Sequence, residues 1–433
     1  MNGWNACRWG RTAGPATAVA LLAALLAAGC GGDGESDALT FAVGGTPAEL
    51  EVWEQLVAEF EAETGIAVEL RRQPTDSNAR RQSLVTSLRA GQRDPDVFLM
   101  DVAWLAQFAA SRWLQPLEGP LVEREIDPAV FYGTVRPGDD GALVALPVYV
   151  DGGLLYYRTD LLAELGYDAP PQTWTELREM ARAAQRRYRP DNPDFFGYVW
   201  QGAQYEGLIC HWLEVAGSNG GGFGPGLRVD GAANVEATAT MAGWIHDEPI
   251  SPPNTFTEMK EEPVRRAFQA GNALFERNWP YAWSLHQRAE SPVAGKVALA
   301  PLPHFDGGRS MSALGGWHIG VSRHCDRTDE AMHLLAYIVS YPAQKRVALE
   351  LGWNPGRRDV YQDPDVLEPL PHLASLRGVF EKLTPRPAVP YYPAVSDAIQ
   401  RHLNAALAGR VPPDEALRAA QDEIDTIKQR YGD

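Results

Sequence analysis

Residues Leu39–Asp101 read LTFAVGGTPAELEVWEQLVAEFEAETGIAVELRRQPTDSNARRQSLVTSLRAGQRDPDVFLMD, and they alternate between two hydrophobic periods. Leu39–Val43 is a short apolar run of strand length. Pro47–Glu63 carries Trp53, Leu56, Val57 and Phe60 at helical spacing, with Thr46 as a cap before Pro47. Ile66–Leu70 is strand-like, Asn78–Ala90 sets Leu84, Val85 and Leu88 on one helical face, and Asp96–Met100 is strand-like again. Repeated strand–helix–strand units predict an α/β fold with a mainly parallel sheet covered by helices. Ligands of such sheets sit beyond the carboxyl ends of the strands. Thr46 to Glu49, Pro74 to Asn78 and Asp101 all lie at such ends.

Further along, Leu143–Val150 and Leu154–Arg158 are predicted strands flanking Asp151-Gly152-Gly153. Asn219–Gly226 is rich in glycine but lacks the Gly-Lys-Ser/Thr of a phosphate loop, so it reads as a turn. Glu330–Ser340 and Pro412–Tyr431 read as amphipathic helices. There is no internal repeat and no long linker. In a chain of 433 residues this pattern predicts two lobes interleaved in sequence.

The first 29 residues read as a leader. Arg8 and Arg11 precede an apolar run, Ala16 to Gly29, which is too short to span a bilayer and suits a signal peptide. Leu26-Ala27-Ala28-Gly29-Cys30 resembles a bacterial lipobox, so Cys30 is expected to carry lipid and 30–38 to form a polar tether. Removing the leader takes the net charge from −17 to −19. So acidic a chain lacks the basic footprint that nucleic acid requires, and it excludes a polybasic membrane surface. Once Cys7 leaves with the leader, Cys210 and Cys325 are the cysteines remaining beside Cys30. They form neither a disulfide framework nor a zinc spacing, and no metal or cofactor motif is present.

No catalytic constellation is specific. There is no GxSxG elbow, although the many carboxylates leave a glycoside hydrolase or transferase open as an alternative. A different grouping stands out: acids at strand ends (Asp101, Asp151), tryptophans beside Pro or Gly (Trp279, Trp317) and Arg386 between two prolines. Taken singly, these are a turn or cap, a core side chain and a surface charge. Together they suit a sugar, whose hydroxyls donate to carboxylates and accept from a guanidinium, and whose apolar face packs on a ring.

Longer segments carry a resemblance. Asp94–Phe108 (DPDVFLMDVAWLAQF), Ala145–Arg158 (ALPVYVDGGLLYYR), Ile250–Met259 (ISPPNTFTEM), Phe275–Trp283 (FERNWPYAW), Gly315–Ser322 (GGWHIGVS) and Arg386–Pro393 (RPAVPYYP) resemble the extracellular solute-binding proteins of carbohydrate ABC importers, within them the trehalose/maltose-binding group. The resemblance runs from about Thr40 to the C-terminus. It implies a two-lobed, type II periplasmic-binding-protein fold with ligand in the cleft, with 39–148 and 313–345 in the N-terminal lobe and 149–312 and 346–433 in the other. It implies ligand contacts at Glu49, Thr75, Asp76, Asp101, Tyr149, Asp151, Trp279, Gly316, Trp317 and Arg386. It also implies no catalysis, a disaccharide ligand, ABC permease subunits as partners, contact with the membrane only through the lipid, and a monomer. Cys210 and Cys325 fall in different lobes of that fold and are expected to be free, Cys325 in a surface loop. The Gly152-Gly153 pair, where a small residue and then Gly is usual, is expected to loosen the backbone.

Overall fold

Two sheets organise the chain in a computed structural model that describes residues 38–133, 141–373, 379 and 383–432. The expected leader and Cys30 lie outside the described residues, as does the tether except for Ala38. The strands are β1 Leu39–Gly44, β2 Val68–Gln73, β3 Val97–Asp101, β4 Leu146–Gly152, β5 Leu154–Arg158, β6 Phe196–Val199, β7 Ala273–Asn278, β8 Val297–Ala300 and β9 Leu314–Val321. The first sheet has the order β2-β1-β3-β9-β4 and the second β6-β7-β5-β8.

The sheets are mixed rather than mainly parallel. β1 runs parallel to β2 and β3, but β9 enters between β3 and β4 antiparallel to both. In the second sheet β6 and β7 are parallel, while β5 opposes both β7 and β8. Strand–helix alternation foretells parallel pairing only between neighbours in sequence. β9 is a late return from the far side of the other sheet, so its direction is not written in the local pattern.

Helix Pro47–Thr64 begins where expected. Thr46 caps it, Thr46 and Glu49 form a capping box, and Val52, Trp53, Leu56, Val57 and Phe60 are buried. These side chains pack on one face of the first sheet with helices Thr328–Ile338 and Tyr341–Leu351. Helix Ser77–Arg89 covers the other face through Leu84 and Leu88. In the second lobe, helices Trp174–Tyr188, Glu206–Gly217, Tyr392–Leu407 and Pro413–Tyr431 bury one sheet face. Val264, Phe268, Val360 and Tyr361 bury the other. Most of the tryptophans among the described residues, including Trp53, Trp200 and Trp212, are core.

The chain passes between lobes slightly later than the boundaries drawn from sequence. β4 stays hydrogen-bonded to β9 as far as Gly152, and Val347, Leu351 and Trp353 still pack with the first sheet. The passages therefore fall at Gly152–Leu154, at the start of β9, and after Trp353. Gly153 is more than loose backbone here, because a Cβ on it would sit 2.0 Å from the Glu214 carboxylate. Glu214 and Arg277 form a fully buried pair against that bare backbone. Cys210 and Cys325 are free thiols, and both are buried, Cys325 in the first-lobe core rather than on a surface loop. No helix among the described residues is long and apolar enough to cross a membrane.

Candidate functional site

A cavity of about 600 Å3 lies between the lobes, and all ten residues singled out for ligand contact line it. Strand register assembles the floor. In β9, Trp317 stands opposite Asp101 of β3 on one side and Tyr149 of β4 on the other, and Gly315 stands opposite Asp151. Successive side chains of a strand alternate in direction, so Tyr149 and Asp151 share the cavity side of β4. Gly316 has φ +116, and a Cβ on it would come within 2.3 Å of the Tyr149 carbonyl, so the close approach of β4 and β9 requires glycine.

Several of these residues have local work as well. Glu49 accepts a hydrogen bond from the Thr46 backbone N–H and completes the capping box. Burial raises its pKa, opposed by the bonds from Thr46 and by Arg80. Asp101 caps a short helical turn by accepting from Ala103 N–H at 2.7 Å. Thr75 is exposed at the rim. Asp76 caps helix Ser77–Arg89, accepting from Ala79 N–H at 2.8 Å, and it also meets Lys260 from the opposite lobe. Burial alone would raise Asp76, but the Lys260 ammonium and the capping bond outweigh it and hold the carboxyl below its usual value. With these partners Asp76 fastens the two lobes together at least as much as it faces the cavity.

Arg386 joins the lobes directly. Its extended segment pairs with the start of β9, Leu314 N–H donating to the Thr384 carbonyl at 2.8 Å. The guanidinium donates to Asp101 at 3.0 Å, to the Leu314 carbonyl at 3.1 Å and to Glu206 at 2.9 Å. Burial would lower its pKa, but the field of Asp101 and Glu206 raises it well above normal and holds it charged. The Asp101–Arg386 clamp is thus a direct ion pair, where the sequence pointed to a link through sugar hydroxyls. Arg386 Nε remains buried with no partner.

Aromatic rings complete the walls. Trp279 follows β7, its ring close against Gly315, and the Arg277 guanidinium lies 4.0 Å from the ring centroid. Trp317 has Arg80 at 4.1 Å from its centroid and Trp104 edge-on at 5.2 Å. Tyr149 packs at 4.2 Å on Trp353. Asp151 has its pKa pushed up to about 7, chiefly by burial and then by Glu49 and Asp101.

Sequence reading missed Arg80, Glu206, Lys260 and Glu261, all of which line the same cavity. Arg80, in the first turn of helix Ser77–Arg89, is buried, donates Nε–H to the Pro74 carbonyl at 3.1 Å and covers Trp317. Glu206 opens a helix in which every residue is buried, and an acid in so apolar a segment was a signal available in the sequence. Lys260 stands one residue beyond the recognised Ile250–Met259 segment. Cys210 also lines the cavity, but burial raises its pKa to about 12, which makes it an unreactive thiol.

Acids, guanidinium groups and aromatic rings thus meet in one cavity between two lobes, an arrangement shared in fold with known proteins. The chain is 38% identical over 375 residues to a probable ABC transporter-binding protein of Deinococcus radiodurans, covering 85% of this chain and 88% of that one. Among solved structures, maltose-bound MalE3 of T. maritima is 38% identical and superimposes with a TM-score of 0.84 over 90% of this chain and 99% of that chain. A solute-binding protein of Thermotoga lettingae bound to α-D-tagatose is 25% identical, with a TM-score of 0.79 over 90% of this chain and all of the other (100%). The model of the bacterial extracellular solute-binding proteins matches residues 44–345, which is most of the two-lobed body, and the chain belongs to that family.

Proposed function

We propose that the chain is the substrate-binding lipoprotein of an ABC sugar importer. It captures an α-linked disaccharide of the trehalose/maltose type in the interlobe cavity and delivers it, unaltered, to the permease subunits. The ten residues from Glu49 to Arg386 contact the sugar, and Cys30 anchors the monomer to the outer face of the cell membrane. One observation carries the reading: of the ten residues, two tryptophans, four carboxylates and one guanidinium converge on a single cavity between two lobes. About 600 Å3 lies within the range of roughly 300–1,000 Å3 that small-molecule sites occupy. A maltose-bound relative of 38% identity supports the ligand class. Closure of the lobes on the sugar then presents one surface to the permease.

The test is calorimetric titration with trehalose, maltose, glucose and maltotriose, with chromatography of the recovered sugar. Saturable binding of a disaccharide that is recovered intact is the expected result. Binding confined to monosaccharides or polyols would overturn the disaccharide assignment.

A further inference from the structure

Asn354 lies where the chain leaves helix Tyr341–Leu351, packed in the first lobe through Val347 and Leu351, and heads for the turn Asp359–Gln362, packed in the second through Val360. Its backbone is pinned. Its carbonyl accepts from Val150 N–H at 2.9 Å, and two residues later Gly356 N–H donates to Val148 at 3.0 Å and to the Gln344 side chain at 2.9 Å. The residue is 0% exposed, yet neither Nδ2 nor Oδ1 has a hydrogen-bond partner. A primary amide carries two donors and an oxygen with two lone pairs, and buried groups of this kind are nearly always satisfied. A loosely held loop does not explain the exception, because the backbone on both sides is fixed.

The group beside it is the Asp151 carboxyl, one residue beyond Val150 on β4. It lines the cavity. The Asn354 amide is near enough to favour the ionised carboxyl without completing a hydrogen bond. The two are chemically complementary, an amide with unused donors beside a carboxyl that accepts hydrogen bonds.

We propose that Asn354 is a positioning residue of the ligand cleft: its Nδ2–H donates to the Asp151 carboxylate and holds it charged, with the remaining lone pairs presented to hydroxyls of the bound sugar. The inference rests on the sugar-binding reading above. Other groups set the field around Asp151. Burial raises its pKa to about 7, Glu49 and Asp101 push the same way, and Arg277 opposes them. The hydroxyls of Tyr149, Tyr156 and Tyr361 also feel its charge. An ionised carboxylate accepts from sugar hydroxyls, whereas the protonated acid gives up acceptor capacity. Ligand affinity should therefore weaken as pH falls through 7. A donor at Asn354 lowers the Asp151 pKa, so its removal moves that weakening to higher pH.

The experiment follows the Asp151 carboxyl by carbon-13 NMR in the ligand-free chain from about pH 4 to about pH 9, Asp151→Asn identifying the resonance. Wild type is compared with Asn354→Leu, which keeps the volume, and Asn354→Ala, which tolerates a small void if the first variant folds poorly. Both variants are expected to raise the midpoint by about one pH unit or more. Maltose titrations should then show a larger affinity loss near pH 7 than near pH 9. An unchanged carboxyl midpoint overturns the proposal, including the case where affinity falls equally at every pH, which marks a packing role. If the wild-type chain binds no sugar, the functional reading fails, while the carboxyl titration still decides the role of Asn354.

Discussion

Arg386 is held by Asp101 from one lobe and Glu206 from the other, with its Nε left over. Removing the cation strands two carboxylates in a poorly solvated site, and breaking a buried pair of this kind costs roughly 3–5 kcal/mol. Arg386→Ala is thus expected to lower the melting temperature as well as to weaken sugar binding at least about tenfold. Calorimetric titration at a temperature where the variant is folded checks this, and wild-type affinity would refute the clamp. Trp279 and Trp317 each have one ring face approached by a guanidinium, so at most the other face serves a sugar. Burying an aromatic surface contributes about 1–3 kcal/mol, so Trp279→Ala and Trp317→Ala should each weaken binding roughly 5- to 150-fold. Unchanged affinity in both would show that the rings only pack. The acids at strand ends were legible as site candidates because an Asp after an apolar strand must face a loop or a cleft. Arg80 was not, because its partners come from other elements, and Glu206 showed only as an acid in an apolar segment whose partner Arg386 lies far along the chain.

At the scale of elements, the first turn of helix Ser77–Arg89 reaches the opposite lobe twice. Asp76 meets Lys260, and Asn78 Nδ2 donates to Gln400 of helix Tyr392–Leu407 at 3.2 Å. The Lys260 side chain is 40% exposed, so its ion pair is screened and contributes on the order of 0–1 kcal/mol to closure. Lys260→Gln is expected to lower sugar affinity by no more than about fivefold and to flatten its salt dependence. Titrations at low and high ionic strength decide it, and a salt dependence identical to wild type would remove Lys260 from the closing contacts. Helix Pro47–Thr64 could be read almost to the residue, because its proline, cap and apolar stripe lie within one segment. β2 begins two residues into the run Ile66–Leu70 that announced it, at Val68, because its pairing to β1 sets its start.

The whole molecule depends on chain that crosses between lobes, and the proposed lipid anchor lies ahead of them in sequence. Cys30→Ala is expected to release the mature protein into the soluble fraction and to abolish fatty-acid labelling. A variant that stays with the membrane, together with an unlabelled wild type, would show that Cys30 is not the anchor. Local order was legible along the chain: caps, strand and helix periods, and strand-end acids depend on residues a few positions apart, whose sterics and hydrogen bonds act without the rest of the fold. The long-range pairings were not. Arg386 and Asp101 are 285 positions apart, β9 enters a sheet begun more than 200 residues earlier, and the Gly153 backbone is bare because a buried ion pair from two other elements lies against it. Such partners are selected by the packing of the complete core, which balances burial and charge over the whole body, and no local period encodes that balance.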